Sequence, residues 1–193
     1  MFKFIDPHLH FNQGTIQLLL AAERASSWFE LLYTGEEYRR WLVYLLCLFD
    51  GISTKAVSRI ILWLGIHQKE HNLLLAQRTR ALSLLKGLKS RGRSGLDVPN
   101  SKIHEWLNGF SLETIIYLMA RSQSDRLRQA ISLYVTELRK VEISLAGGDL
   151  IALGLKPGPH FQEIFRSLLN ARLNGDVHSR EDEIALVRRC WLK

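Results

Sequence analysis

GGDLIALGLKPGPHFQEIFRSLLNARLNGD, residues 147–176, is written in helix-and-corner grammar: a short turn, a glycine break, a proline-glycine corner and an amphipathic helix. Asp149 is placed to cap the turn DLIAL. Gly154 is placed to end it in a left-handed conformation, where a residue without Cβ meets no steric penalty. Pro157 and Pro159 bracket Gly158, and Pro159 suits a first helical turn, where its missing N–H loses nothing. Beyond the corner, Phe161, Ile164, Phe165 and Leu168 recur at i, i+3, i+4, i+7 and form one apolar face, with Gly175 as the stop.

The same grammar extends in both directions. Upstream, Asn12 can cap TIQLLLAAER, and Ser26 or Ser27 is expected to start a separate helix over WFELLY. Thr34 and Glu37 have capping-box spacing ahead of EYRRWLVYLLCLF, whose dense apolar content predicts the central core helix. Ser53 caps TKAVSRIILWLG, which predicts four helices before Gly65. Residues 67–91 read as one long helix with Leu74, Ala81, Leu85 and Leu88 on its apolar face; Arg78 and Lys89 flank that face and can snorkel. Asn100 or Ser101 opens KIHEWLNG, Ser111 opens LETIIYLMA, and a further helix is expected over residues 123–140. Downstream, Ser179 and Asp182 open REDEIALVRRCWL, where acids lead and bases trail as the helix dipole prefers. There Glu181, Asp182 and Glu183 read as a surface cluster. No alternating strand pattern of useful length occurs, so the fold class is all-α, a multi-helix array of eight to ten helices. Gly92, Gly95 and Pro99 mark a subdomain boundary in the 92–99 loop, giving a helical body over 1–92 and a helical tail over 93–193.

At 193 residues and 47% hydrophobic content the chain can bury a core without staples, and the composition excludes a disordered chain. Cys47 and Cys190 are the only cysteines, which gives neither a disulfide framework nor a zinc spacing. The start MFKFIDPHLHF lacks the pattern of a signal peptide, and no charge-free apolar run is long enough to span a bilayer. A cytoplasmic protein with no membrane partner is expected. The net charge of +7 is compatible with a nucleic-acid partner but does not require one.

Gly147, Asp149, Leu150, Leu153, Gly154, Pro157, Gly158 and Pro159, followed by Ile164, Leu168, Gly175, Asp176, Ser179, Arg180 and Glu181, form a G-x-D-L-x-x-L-G-x-x-P-G-P pattern with a helix and a charged G-D-x-x-S-R-E segment. It resembles the C-terminal region of bacterial tRNA nucleotidyltransferases, the CCA-adding and A-adding enzymes, and of their poly(A) polymerase relatives. The resemblance is sharp over about 40 residues. Gln162 departs from it, standing where such sequences usually carry glycine. In that family an N-terminal catalytic head supplies GG-x-x-R-D and D-x-D stretches that hold magnesium and ATP or CTP. Gly147-Gly148 has no such carboxylates after it, so this chain is expected to lack the head, to hold no cofactor itself and to be inactive alone. The resemblance implies a body and tail that grip tRNA and position its 3′ end for that head.

Lys and Arg neutralise RNA phosphates, and four groups are candidates: Lys86, Lys89, Arg91 and Arg93; Arg121, Arg128, Arg139 and Lys140; Lys156 beside the corner; and Arg166 with Arg172. Each also reads as an ordinary solvated face. Arg121 joins Arg128 and Arg139 only if the helix there is continuous. The glycines and prolines of the opening stretch would set backbone shape. Two other readings stand beside RNA binding. A protein-interaction or homodimerisation module is favoured if SSWFELLY and HEWLNGF are exposed, since interfaces are rich in Trp and Phe. A small metal hydrolase would need His67 and His71, at i, i+4, to share an ion, yet the chain has no His-Asp dipeptide.

Overall fold

The computed structural model describes residues 12–90 and 98–192. All regular structure among them is helical, as the sequence predicts: α1 Gln13–Glu30, α2 Arg40–Leu48, α3 Thr54–Trp63, α4 Gln68–Ser90, α5 Asn100–Leu107, α6 Leu112–Arg121, α7 Asp125–Thr136, α8 Gly147–Ala152, α9 His160–Asn174 and α10 Arg180–Trp191. The chain divides into two compact units, Met1–Leu96 with Gly109–Ile131, and Asp97–Asn108 with Ser132–Lys193. The boundary expected in the 92–99 loop falls largely on residues outside the described set.

In the first unit, Asn12 caps α1 by accepting the N–H of Thr15 at 3.0 Å. The helix then runs through Ser26 and Ser27 without the restart expected there. Ala22, Ala25, Ser26 and Phe29 form one buried stripe at helical spacing, and the packing of that stripe overrides the capping preference of serine. The expected helix start at Thr34 is also absent. Thr34 Oγ1 accepts the N–H of Glu36, at 3.4 Å, and no helix forms before Arg40, with Arg39 itself extended. Arg39 is held there from outside its own segment: its N–H donates to Glu113 Oε1 at 3.1 Å and its guanidinium to Glu70 at 2.6 Å. Among the described residues three α-helices therefore precede Gly65, not four.

The centre of this unit is α6 rather than α2. Glu113 through Leu118 are buried in succession, whereas α2 leaves Trp41 exposed. Ser111 caps α6 by accepting the N–H of Thr114. Burial pushes the Glu113 carboxyl up, but bonds from the Arg39 and Glu113 N–H groups and the Ser111 hydroxyl, with the Arg39 charge, outweigh it and hold the group below the usual range. Arg78 on α4 is buried outright, beyond the snorkelling its position suggested. Its Nη2 donates to the carbonyl of Phe49 at 2.7 Å and to that of Ile52, which ties α4 to the turn between α2 and α3. A guanidinium matches two inward-facing carbonyls that no helix satisfies.

In the second unit α5 packs on α9, and α9 on α10. Leu145, Leu150, Ile164, Leu168 and Val187 form its core, with Phe161, Phe165 and Trp191 partly buried against them. The helix expected over 123–140 is interrupted: α7 ends at Thr136, and a 3-10 turn follows over Leu138–Lys140. Gly154 at φ +98° and Gly175 at φ +80° take the left-handed conformations that their positions predict.

Arg78→Ala is expected to destabilise the first unit by about 3–5 kcal/mol, because it opens a cavity, strands the carbonyl of Ile52 and leaves that of Phe49 with only the Ile52 N–H. Urea unfolding followed by circular dichroism measures it.

Candidate nucleic-acid interface

Between the C-terminal half of α4 and the α6–α7 turn the first unit has an open cleft of about 570 Å³. Leu82, Leu85, Leu88 and Leu127 line it together with Lys86, Lys89, Arg121 and Arg126. Helix α4 supplies both kinds of residue, because leucines and lysines alternate along the edge of its apolar face. The turn is set by Ser122, whose Oγ accepts the N–H of Ser124 at 3.2 Å and donates to its carbonyl at 3.0 Å. It breaks the continuous helix on which Arg121 would have joined Arg128; Arg121 instead lines the same cleft as α4's lysines. Lys86 and Lys89 are exposed, with no ion-pair partner among the described residues. Arg126 is an addition. Helical phase counted from Arg121 conceals it, since the turn resets the phase.

The other candidate cations are placed differently. Arg128 donates to Asp125 at 2.8 Å and to the carbonyl of Ser122 at 2.7 Å. Arg139 Nε donates to the carbonyl of Val135 at 2.8 Å, while Lys140 and Lys156 are exposed. Arg166 is exposed on α9 near Glu105, whose carboxyl is held below the usual range by the bond from Lys102 and by the charges of Lys102 and Arg166. Arg172 Nε donates to Glu183 at 2.7 Å and its Nη2 to Ser144 Oγ at 2.6 Å. Arg91 and Arg93 lie outside the described residues.

Glu183 corrects the sequence reading most clearly. It is fully buried, not part of a surface cluster. Its carboxylate accepts the N–H of Ser144 at 3.0 Å and of Leu145 at 2.9 Å besides Arg172, and so fixes the strand of chain that enters α8. Asp149 is the third residue of α8 rather than its cap, and it reaches back to the N–H of Ala146 at 2.8 Å. Its other oxygen takes Arg180 Nη2 at 2.6 Å. The Ala146 N–H and the Arg180 charge hold the Asp149 carboxyl below the usual range; the His178 and Ser179 N–H groups do the same for Asp182. The two charged ends of the motif, 31 positions apart, are thereby tied together.

His71 is buried with Nε2 3.0 Å from Ser58 Oγ, and His67 is exposed. Among the described residues no group of three or more His, Cys, Asp or Glu could hold a metal ion. No helix there is long and apolar enough to cross a membrane. Of the aromatic segments, Phe29 and Phe110 are buried and Trp28 and Trp106 half-buried; SSWFELLY exposes Leu31 and Tyr33 at its end, while HEWLNGF offers no broad aromatic surface.

No protein-family model matches the chain. The chain is 34% identical over 189 residues to the A-adding tRNA nucleotidyltransferase of Geobacter sulfurreducens, covering 98% of this chain and 22% of that protein. Among solved structures, the Thermotoga maritima CCA-adding enzyme complexed with tRNA aligns with a TM-score of 0.72 at 20% identity, over 97% of this chain and 44% of that one. A CCA-adding enzyme in complex with CTP aligns at 0.67 and 22% identity, over 99% of this chain and 44% of that one. The chain is thus similar, over nearly all of its own length, to part of an A-adding tRNA nucleotidyltransferase. It spans about a fifth of the length of the curated relative.

The residues of the 147–181 motif have structural work. Pro157, Gly158 and Pro159 form the corner into α9, and Gly147 and Gly148 open α8. Gln162 is exposed on α9, so the side chain that replaces the usual glycine fits without displacing the core.

Both aspartates, Asp149 and Asp182, titrate below the ordinary value when folded. Their stabilising contribution is thus present above about pH 5 and is lost as pH falls below about 4. A D149N/D182N variant is expected to melt lower than the parent at pH 7 and to lose less melting temperature between pH 5 and pH 3, read by thermal circular dichroism. Glu183→Ala strands the N–H groups of Ser144 and Leu145 and takes the carboxylate from the partly covered Arg172, and about 3–5 kcal/mol of destabilisation is expected in urea.

Proposed function

We propose that this chain grips tRNA for a tRNA nucleotidyltransferase, positioning the RNA 3′ end for a catalytic head elsewhere in the polypeptide. The observation that carries this reading is the convergence of Lys86, Lys89, Arg121 and Arg126 on one cleft, in a chain matching A-adding and CCA-adding enzymes nearly end to end. The first unit acts as body and the second as tail; Lys140, Lys156 and Arg166 offer further exposed cations on the tail. Arg128, Arg139 and Arg172, each engaged in the fold, contribute to RNA contact mainly by holding surfaces in shape.

The recognition is of backbone rather than of base sequence. A-form RNA presents phosphates and 2′-hydroxyls across a wide minor groove, and flexible lysines match them without reading the bases. Magnesium and ATP or CTP belong to the head, where carboxylates act on the incoming nucleotide. Such work belongs in the cytoplasm. A second reading, self-association, is favoured by the exposure of Trp63 (64%) and Trp41 (51%) on the first unit. Sedimentation of the chain and of Trp63→Lys tests it: a dimer that the substitution abolishes would support it.

With three to five phosphates engaged, the chain should bind labelled tRNA with a log–log salt slope of about −2 to −4. Lys86→Ala/Lys89→Ala should flatten that slope by about 1–2. Undetectable or salt-independent binding overturns the RNA reading.

A further inference from the structure

Arg121 is not held like the other cleft cations. Its Nε lies 3.1 and 3.0 Å from the two carboxylate oxygens of Asp50 at the end of α2, and Asp50 also accepts the Tyr117 hydroxyl at 2.8 Å. Tyr117 is fully buried and Asp50 is mostly covered, so this carboxylate has a fixed place. Both η nitrogens of Arg121 have no hydrogen-bond partner among the described residues. A guanidinium gripped along one edge keeps the other edge preset for a bidentate acceptor, which a flexible lysine cannot do.

The cleft's apolar floor narrows the choice of that acceptor. Leu82, Leu85, Leu88 and Leu127 lie among the cations, and the volume of about 570 Å³ falls in the range of small-ligand sites. A continuous RNA duplex turns phosphates, sugars and base edges outward and keeps its base faces stacked, so it has no base face to set against leucine. An unpaired nucleotide has both parts: a phosphate for the guanidinium fork and a base face for the apolar floor.

Resting on the RNA reading above, we propose that this cleft takes one unpaired nucleotide of the bound RNA. Its phosphate sits on the Arg121 η nitrogens with Lys86 and Lys89 beside it, and its base lies over Leu82 and Leu85. Asp50 and Tyr117 are positioning residues that act through Arg121. The cleft thus marks where the RNA leaves A-form geometry.

The test compares a fully paired RNA hairpin with the same hairpin carrying one bulged nucleotide, titrated against the full chain at fixed salt. The wild type is expected to favour the bulged hairpin by about fivefold or more, from one bidentate pair and one buried base face. Arg121→Lys keeps the charge but loses the fork, and Asp50→Asn loosens it; both should abolish the preference while keeping most affinity for the paired hairpin. Leu85→Ser, on the cleft's half-buried wall, should do the same without touching a charge, and thermal melts of each variant confirm folding. Equal binding of the two hairpins by wild type, or an unchanged preference in Arg121→Lys and Leu85→Ser, overturns the pocket and leaves RNA binding standing. Failure to bind either hairpin or tRNA overturns both readings. An acidic amphipathic peptide that binds at the cleft without being displaced by RNA assigns it to a protein partner and likewise overturns the proposal.

Discussion

The carboxylate of Glu183 lies in the interior of the second unit, where an unmatched charge would be intolerable. The N–H groups of Ser144 and Leu145 and the guanidinium of Arg172 match it, and the entry to α8 can take only the path that brings them there. From that fixed entry α8 begins, Asp149 reaches back to Ala146 and across to Arg180, and the proline-glycine corner launches α9 over the shared core. A motif that looks like a nucleotide loop in one dimension is a charge-matched joint in three. This explains why acidic and basic residues at its two ends accompany the glycines and prolines between them.

The first unit meets the same requirement with different groups. Arg78 supplies donors to two carbonyls of the α2–α3 turn, Glu113 accepts the N–H that keeps Arg39 extended, and Asp50 gathers Tyr117 and Arg121. Burial raises the Tyr117 phenol far above its usual range, aided by the Asp50 charge, so the pair keeps its proton on the tyrosine. It also pushes the Cys47 thiol up to about 12, which leaves that cysteine an inert core residue. The polar interior is therefore a set of joints between helices, and the surface cations are what remains for a partner.

That division bears on how a surface with available positive charge is built. A cation already bonded to a carbonyl or carboxylate has part of its donor capacity committed, as with Arg128, Arg139 and Arg172. Exposed lysines on α4 keep all of theirs, and Arg121 keeps one edge, so the cleft concentrates available positive potential next to an apolar floor. Both properties follow from one long helix whose leucines and lysines are interleaved.

The amino-acid sequence by itself determined the all-helical class, the caps at Asn12, Ser53, Ser111 and Ser179, the left-handed stops at Gly154 and Gly175, and the apolar face of α9. These depend on spacing and on conformational preference within a few residues, which local order records. It also carried the family pattern, because glycine and proline positions constrain backbone directly. Only the tertiary structure decided that α1 runs through Ser26, that Arg39 stays extended, that α6 rather than α2 is central, and that Glu183 is buried while Lys86 and Lys89 are not. Each of these turns on a partner distant in sequence, Glu113 for Arg39 and Arg172 for Glu183 among them. A charged residue looks the same in sequence whether its partner is water or a buried backbone N–H, and the energetic difference between the two appears only when the chain is packed.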